Sequence, residues 1–193
     1  WVTFFSDPAA ARPPFGGSER WDLYDVRAIS VVRGKQPAGL EVGTTLVRVE
    51  SERELSVVPS ELVGVTQHLA YTLAAERREL TGISAAEAGP LAVLIPISKS
   101  PAWWKLAQDE RDAVFRGKRE RPGHFVIGRA YASRVYRKLY HARYVPGSTW
   151  DFLTYFEFPK EREDDFRALL AELRDPETNP EWEFVEREIE IWL

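Results

Sequence analysis

Residues 99–141 form a basic, aromatic-rich segment that holds the residue types best able to do chemistry. Two adjacent indoles, Trp103 and Trp104, are followed by an interior imidazole, His124, and a guanidinium, Arg137. An imidazole can ligate a metal or a haem iron, a guanidinium binds small anions through its fork of N–H donors, and indoles can wall a flat cofactor. The order of these residues raises the hypothesis of a cofactor site that also meets an anion.

His124 is the strongest candidate ligand among the three histidines. It follows Pro122 and Gly123 and introduces the apolar segment 125–127. A polar imidazole at the entrance to a buried segment needs a partner. His68, in a mixed polar strand, and His141, at the end of a strand, are explained by structural roles.

The predicted final strand, residues 181–193, offers a partner for His124. Alternation places Glu181 on the inward face of this strand, together with Val185 and Ile189. A carboxylate aimed at an apolar interior is costly unless it is paired, and one bonded to the far nitrogen of a metal-bound histidine fixes the tautomer of that ligand. The alternative is that Glu181 begins the strand at a solvated edge.

Four further side chains in the basic segment have both a functional and a structural explanation. Arg137 shares a strand face with Leu139, so it either meets a desolvated anion or extends to solvent. Trp103 and Trp104 point about 100° apart on a helix, so one packs inside while the other lines a pocket or an interface. Lys99 either neutralises a cofactor carboxylate or is solvated.

The elements after residue 90 predict the fold. A buried strand at 91–95 ends at Pro96, and a helix begins at Pro101, with Ser100 as its cap, and runs to about residue 118. There follow a short helical segment after His124, strands at 135–143 and 150–158, a helix at 161–174 and the strand at 181–193. Trp150, Phe152, Phe156 and Phe158 alternate onto one side of their strand. The order β-α-β-β-α-β is the ferredoxin-like arrangement.

The first part of the chain suggests a degenerate half-copy of the same unit. Strand-like segments lie at 22–32, 44–49 and 62–73. We therefore expect an α+β protein with a truncated ferredoxin-like half at 1–85 and a complete unit at 86–193. Together the two would extend the sheet into an α+β barrel.

Composition and charge limit the possible function classes. The chain has 193 residues, a formal net charge of −4 and no cysteine. The charge gives no whole-molecule attraction for nucleic acid or anionic lipid, and the lack of cysteine excludes disulfides, thiolate catalysis and cysteine-ligated metals. No apolar run reaches ~20 residues, so we expect no transmembrane helix. We expect a cytoplasmic protein, with the periplasm as the alternative because the chain begins with Trp1.

Several spaced blocks, in the right order, resemble one family. Residues 92–104 (AVLIPISKSPAWW), 108–111 (QDER), 137–141 (RKLYH), 151–157 (DFLTYFE) and 181–188 (EWEFVERE) are similar to the chlorite dismutase family of haem b enzymes. The resemblance covers residues 62–193 and is tightest after residue 90. It is closest to the short-chain branch, whose members are dimers with a truncated N-terminal half.

This resemblance assigns roles to individual residues. His124 matches the proximal haem ligand, Glu181 the carboxylate that hydrogen-bonds it, and Arg137 the distal arginine thirteen residues after the ligand. The remaining matches are to cofactor-binding positions around the haem edge, the propionates and the distal side: Lys99, Trp103, Trp104, Tyr71 and Thr154.

The resemblance also implies a function. It implies haem b as cofactor, chlorite as a small anionic substrate, a homodimer, and the conversion of chlorite to chloride and dioxygen. The branch that decarboxylates coproporphyrin haem lacks the distal arginine, so Arg137 favours chlorite conversion. The alternatives are a coproporphyrin-haem decarboxylase or haem peroxidase of the same family, and a non-catalytic haem-binding α+β-barrel protein.

Overall fold

The structure is a computed structural model that describes residues 1–6, 20–51, 62–66 and 86–193, residues 20 and 21 by their backbone alone. Its strands are β1 (Val2–Phe5), β2 (Arg20–Asp25), β3 (Ala28–Arg33), β4 (Thr45–Glu50), β5 (Leu62–Gly64), β6 (Leu91–Lys99), β7 (Tyr136–His141), β8 (Phe152–Phe158) and β9 (Val185–Trp192). Its helices are α1 (Pro101–Lys105), α2 (Gln108–Arg116), α3 (Gly123–Tyr131), α4 (Glu163–Arg174) and the 3-10 helices Lys160–Arg162 and Pro180–Phe184. Over the described residues, no helix combines the length and the apolar character that a membrane crossing needs.

The described strands form two antiparallel sheets. The first has the strand order β2-β4-β1-β5 and the second has the order β3-β9-β6-β8-β7. The chain passes from the first sheet to the second at Val26 and Arg27, whose amides donate to a carbonyl beside β4 and to one in β9. At the opposite edges, Val65 and His141 form an isolated antiparallel bridge. The two sheets are therefore connected at both ends.

The α+β class and the β-α-β-β-α-β order after residue 90 are confirmed, with strand order β9-β6-β8-β7. The expected closed barrel is not formed by the described residues, because a single bridge rather than a ladder joins β5 to β7. Strand β3 pairs with β9, so the second sheet takes strands from both parts of the chain. The division into domains at residues 85 and 86 stays a prediction.

The second sheet is buried on both faces, and β8 shows how alternation achieves this. Leu153 and Tyr155 belong to the core between the two sheets. Phe156 and Phe158 face the helices, with ring centroids 5.1 and 4.5 Å from that of Phe166 in α4. This sheet side carries the helices and leaves room for a cavity beside them. Trp150 precedes β8 and belongs to the core between the sheets, so its expected place on the Phe156 face is wrong.

The helix expected at 101–118 is two helices. Leu106 and Ala107 have extended backbones, which ends α1, and α2 begins again at Gln108. The Glu110 side chain accepts a hydrogen bond from the Ala107 amide at 2.7 Å and so satisfies one of the free donors at the new helix start. The strand expected at 22–32 is likewise two strands, interrupted at Val26 and Arg27.

Glu181 lies in the 3-10 helix Pro180–Phe184 and not in the final strand, which begins at Val185. Pro180 stands in the first turn, where its missing N–H costs nothing. Asn179 is the N-cap, and its side-chain oxygen accepts the Glu181 amide at 3.3 Å. The assignment of Glu181 to the final strand is therefore wrong, although its side chain is buried, as the prediction expected.

A partly buried polar cluster connects the two sheets at Glu50. Its carboxylate accepts hydrogen bonds from Arg48 at 2.7 Å, from Lys138 at 2.8 Å and from the hydroxyl of Tyr140. Burial favours the neutral carboxyl, but the hydrogen bonds from Lys138 and Tyr140 and the charge of Arg48 lower the pKa of Glu50 from its ordinary 4.5 to about 2. Because Glu50 belongs to the first sheet and Tyr140 to the second, ionised Glu50 stabilises their contact.

We expect Glu50→Gln to destabilise the fold by about 2 kcal/mol at pH 7. The folded-state pKa lies below the ordinary value, so the contribution of Glu50 is complete above pH 4.5 and is lost as the pH falls toward 2. Urea unfolding at pH 7 and at pH 3 measures this, with the exposed Glu41→Gln as the control. A difference between the Glu50 variant and the wild type that does not shrink at low pH would contradict the assignment.

Candidate functional site

A cavity of about 390 Å³ lies between the second sheet and the helices that cover it. Strands β6 to β9 form one wall, and the helices α1 to α4 and the 3-10 helix Pro180–Phe184 form the other. Most of the lining is apolar. Its charged or titratable side chains include Lys99, Arg111, His124, Arg137, Glu181 and Glu188.

Three side chains on the cavity wall form a continuous hydrogen-bonded row. The Nδ1 atom of His124 lies 2.7 Å from Oε2 of Glu181. The other carboxylate oxygen of Glu181, Oε1, lies 2.7 Å from Nζ of Lys99. Lys99 and Glu181 are each 7 % exposed, so their charges attract each other in surroundings of low dielectric constant. The pairing of His124 with Glu181 proposed from the sequence is present in the structure.

The surroundings of His124 favour a neutral ring with a free nitrogen. Burial lowers the pKa of the imidazole, the adjacent Glu181 carboxylate opposes this, and the charge of Arg137 adds to the lowering. Three effects act on the pKa of Glu181: burial raises it, and Lys99 and then His124 hold it well below its usual range. An ionised Glu181 accepts the Nδ1–H of a neutral His124, which leaves the Nε2 lone pair available. The Nε2 atom is buried and has no hydrogen-bond partner among the described residues.

A tight turn ahead of α3 places His124 beside Glu181. Gly117 and Gly123 have φ values of 67° and 74°, in the left-handed region that favours glycine. A Cβ on Gly123 would lie 2.6 Å from the Gly117 amide nitrogen, so the two backbones approach too closely for a side chain. The Gly123 amide donates to the Thr178 carbonyl at 2.9 Å, which ties α3 to the segment that carries Glu181.

Arg137 reaches the cavity from the sheet wall, opposite the helix that carries His124. It alternates along β7 with Leu139 and His141, and all three line the cavity. No carboxylate in the described part of the chain forms an ion pair with Arg137, whose Nε is buried without a partner. Burial lowers its pKa and the charge of Glu181 opposes this, yet a guanidinium stays charged at neutral pH.

Gly128 keeps the space between these two side chains open. It lies one helical turn after His124 on α3. A Cβ there would contact Nη1 of Arg137 at 3.5 Å and Cδ2 of His124 at 4.0 Å. A larger side chain at this position would occupy the space that His124 and Arg137 both face.

The two tryptophans take different places, as expected from their angular separation. Trp103 is buried, lines the cavity and lies 5.1 Å from Nζ of Lys99, measured to the ring centroid. Trp104 stacks on Phe152, a lining residue, with centroids 6.1 Å apart and planes at 19°. The Arg143 guanidinium covers Trp104 at 3.8 Å. Trp103 thus contacts the charged row, and Trp104 supports the cavity wall through Phe152.

Two predicted cofactor contacts remain. Thr154 is 3 % exposed and lines the cavity from β8, on the strand next to Arg137. Tyr71 lies outside the residues that the structure describes, as does His68. The cofactor-binding roles of these side chains stay predictions.

The donor set at the site is a single imidazole. Over residues 1–6, 20–51, 62–66 and 86–193, no group of three or more His, Asp or Glu side chains is arranged to hold a metal ion by itself. One histidine nitrogen in a large apolar cavity suits a metal that brings its other ligands with it, as a porphyrin does. The residues around Nε2 of His124 therefore fit a haem.

The comparisons with known proteins decide the family. No protein-family model matches the chain. The dimeric chlorite dismutase of Nitrobacter winogradskyi matches in structure with a TM-score of 0.74 and 31 % sequence identity, over 100 % of this chain and 98 % of that one. The chain belongs to the chlorite dismutase family.

Two further members of the chlorite dismutase family are similar over parts of the chain. The chlorite dismutase of Ideonella dechloratans is 33 % identical over 107 residues, which is 53 % of this chain and 35 % of that protein. The chain thus spans about a third of this curated relative. The structure of chlorite dismutase from Candidatus Nitrospira defluvii in complex with imidazole has a TM-score of 0.64 at 22 % identity, over 91 % of this chain and 74 % of that one. At that identity the likeness concerns the fold alone.

Several residues of this family member reach the cavity without having been predicted as site residues. Arg111 and Phe115 lie one turn apart on α2, and the ring of Phe115 lies 5.1 Å from that of His124. The sequence did hold a signal for these two residues, because a spacing of four places both on the same face of a helix. Asn179 and Glu188 had no such signal, because the turn and the strand register that place them depend on distant parts of the chain.

Proposed function

We propose that this protein binds haem b in the cavity and converts chlorite to chloride and dioxygen. One observation carries the proposal: Nε2 of His124, which has no hydrogen-bond partner among the described residues, faces a cavity whose opposite wall presents Arg137, whose buried Nε has no partner among them either. Family membership supplies the reaction, and the cavity supplies the side chains that the reaction needs.

In this proposal the helix wall holds the cofactor. His124 would hold the haem iron through Nε2, and Glu181 accepts its Nδ1–H and fixes the tautomer. Lys99 keeps Glu181 ionised from the other side. Trp103 and Phe115 are apolar surfaces next to this row. When bound, the haem supplies the redox chemistry of the conversion.

The sheet wall receives the anion. Chlorite becomes chloride and dioxygen with no net uptake or release of protons, so the overall reaction requires no acid or base. Arg137 suits this because it is a fixed positive charge with several donors. Its neighbours along β7 and β8, Leu139, Thr154 and Phe156, offer no carboxylate to compete for it. Arg137 thus retains anions in the cavity while the apolar lining excludes water.

We also propose that the protein acts as a homodimer. The Nitrobacter winogradskyi protein, which matches over the whole chain, is described as dimeric. Sedimentation equilibrium of the purified protein tests this assignment. A monomer at micromolar concentration would contradict it.

The test of the function is oxygen release by the haem-loaded protein. Purified protein titrated with haem b should develop a Soret band, and the loaded protein should release one dioxygen and one chloride for each chlorite on an oxygen electrode with chloride analysis. A loaded protein that releases no dioxygen would overturn the proposal. If the same protein, given coproporphyrin haem and hydrogen peroxide, removes carboxyl groups, the decarboxylase alternative takes its place.

A further inference from the structure

A second set of buried ion pairs lies on the same cavity wall as Lys99. The Glu188 carboxylate accepts Nε of Arg174 at 2.7 Å, and Nη2 of Arg174 lies 2.5 Å from the same oxygen. The other terminal nitrogen of Arg174, Nη1, donates to Glu190 at 2.5 Å, and Glu190 also accepts the indole N–H of Trp192 at 2.9 Å. Glu188 is 5 % exposed and lines the cavity.

The strand register brings Glu188 close to Lys99. Ile97 of β6 is paired with Glu188 of β9, and Lys99 follows Ile97 by two residues on the same strand face. Lys99 itself is paired with Val185, three residues before Glu188, so the two charged side chains share a sheet face without lying directly opposite each other. A register irregularity between Ser98 and Lys99 interrupts the ladder at this point, and both Lys99 and Glu188 line the cavity.

The charge of Lys99 acts on both carboxyls. It is in contact with Glu181 and also opposes the rise that burial causes in the pKa of Glu188, although Arg174 is the stronger partner there. A carboxylate this deeply buried is costly, and its ion pair with Arg174, which also lines the cavity, offsets that cost. Neither the proposed cofactor contacts nor the anion contact uses Glu188.

We propose that Glu188 is a positioning residue that sets, through Lys99, how strongly Glu181 binds the imidazole of His124. The inference rests on the proposed function, since the imidazole matters as an iron ligand. Two carboxylates share the field of one ammonium group. Because Lys99 also interacts with Glu188, it neutralises the charge of Glu181 less completely. Glu181 then accepts the Nδ1–H more strongly, which makes the imidazole a better electron donor to the iron.

The consequence is measurable at the metal. In Glu188→Gln, Lys99 acts on Glu181 alone, so the Nδ1–H bond weakens and His124 donates less. We expect the iron–histidine stretching frequency of the ferrous protein, measured by resonance Raman spectroscopy, to fall. We also expect the ferric/ferrous midpoint potential to rise. Glu188→Asp, which keeps the charge, should restore both values toward those of the wild type.

The matched control is Glu190→Gln. Glu190 shares Arg174 with Glu188, is also buried and lies outside the described cavity lining, so its variant perturbs the same ion-pair cluster. We expect both variants to lower the thermal unfolding temperature and only Glu188→Gln to move the frequency and the potential. Unchanged spectroscopy in Glu188→Gln, or equal shifts in both variants, would leave Glu188 with a structural role and overturn the inference.

A second measurement does not depend on haem. A double-mutant cycle of Glu188→Gln with Lys99→Met, followed by urea unfolding of the protein without added haem, reports whether the two side chains interact. We expect Glu188→Gln to cost measurably less in the Lys99→Met background. Additive effects would refute the link between Lys99 and Glu188. If the wild type takes up no haem, the proposed function fails, and this cycle separately decides whether the charge link exists.

Discussion

Replacing His124 with alanine should abolish stable haem binding and leave the fold intact. Within the described chain, several cavity-lining nitrogens are buried without a partner, and Nε2 of His124 is the one among them that can offer a lone pair to a metal, since the others belong to indole and guanidinium N–H groups. Loss of a residue that merely orients a metal ligand costs about 10- to 100-fold in affinity, so loss of the ligand should cost at least about a hundredfold. Titration with haem b, followed through the Soret band, measures the change, and circular dichroism reports on the fold.

The chain contains a matched control for this variant. His141 also lines the cavity, is half-buried and belongs to the opposite wall. We expect His141→Ala to retain the Soret band. His124→Gly with added imidazole should recover part of the binding, because the small molecule can occupy the vacated position next to Glu181. A wild-type Soret band in His124→Ala would show that another residue is the ligand.

The parts of the site that depend on residue type and on neighbours close in the sequence could be predicted from the sequence. His124 follows a Pro-Gly turn, and the structure shows why, since Gly117 and Gly123 must approach closely there. The alternation along β7 correctly gave Arg137 the same face as Leu139 and His141. These are local relations, fixed by a turn or by the period of one strand.

The relations that failed depend on contacts between distant segments. Glu181 was assigned to the final strand, yet Asn179 and Pro180 form a 3-10 helix that presents it to His124. The sequence pattern does not distinguish a first strand residue from the end of such a turn. The alternation used for the prediction still pointed inward, which is why the partner was right although the element was wrong.

Beyond the pairing of His124 with Glu181, the charged row had no sequence signal. Lys99 meets Glu181 across a separation of 82 residues, and Glu188 takes its place through the register of β6 against β9. The register between strands so far apart in the chain follows from the packing of the whole sheet, and the sequence of neither strand determines it alone. For the same reason the sequence did not distinguish a closed barrel from two sheets, which the described residues join at these edges by one bridge, Val65 to His141.

Replacing Arg137 with alanine should keep the haem and slow the conversion of chlorite. Hydrogen bonds to a charged group contribute about 1.5–3 kcal/mol, which corresponds to a roughly 10- to 150-fold lower kcat/KM. Loss of the guanidinium should also let an oxidising anion leave the cavity, so the variant should bleach after fewer turnovers. Oxygen-electrode traces give the initial rate and the total dioxygen released, and the Soret band reports the haem that survives.

Two companion variants separate retention of the anion from general charge. Arg137→Lys keeps the positive charge and loses the planar fork of donors, so its rate should lie between those of the wild type and Arg137→Ala. Arg111→Ala removes a guanidinium that lines the same cavity from α2, where it lies 5.8 Å from the centroid of the Trp104 ring. If Arg111→Ala lowers the rate and the turnover number as much as Arg137→Ala, the summed charge of the cavity is responsible. Unchanged values in Arg137→Ala would remove this side chain from the mechanism, because no other contact in the proposal brings a donor from the sheet wall to the anion.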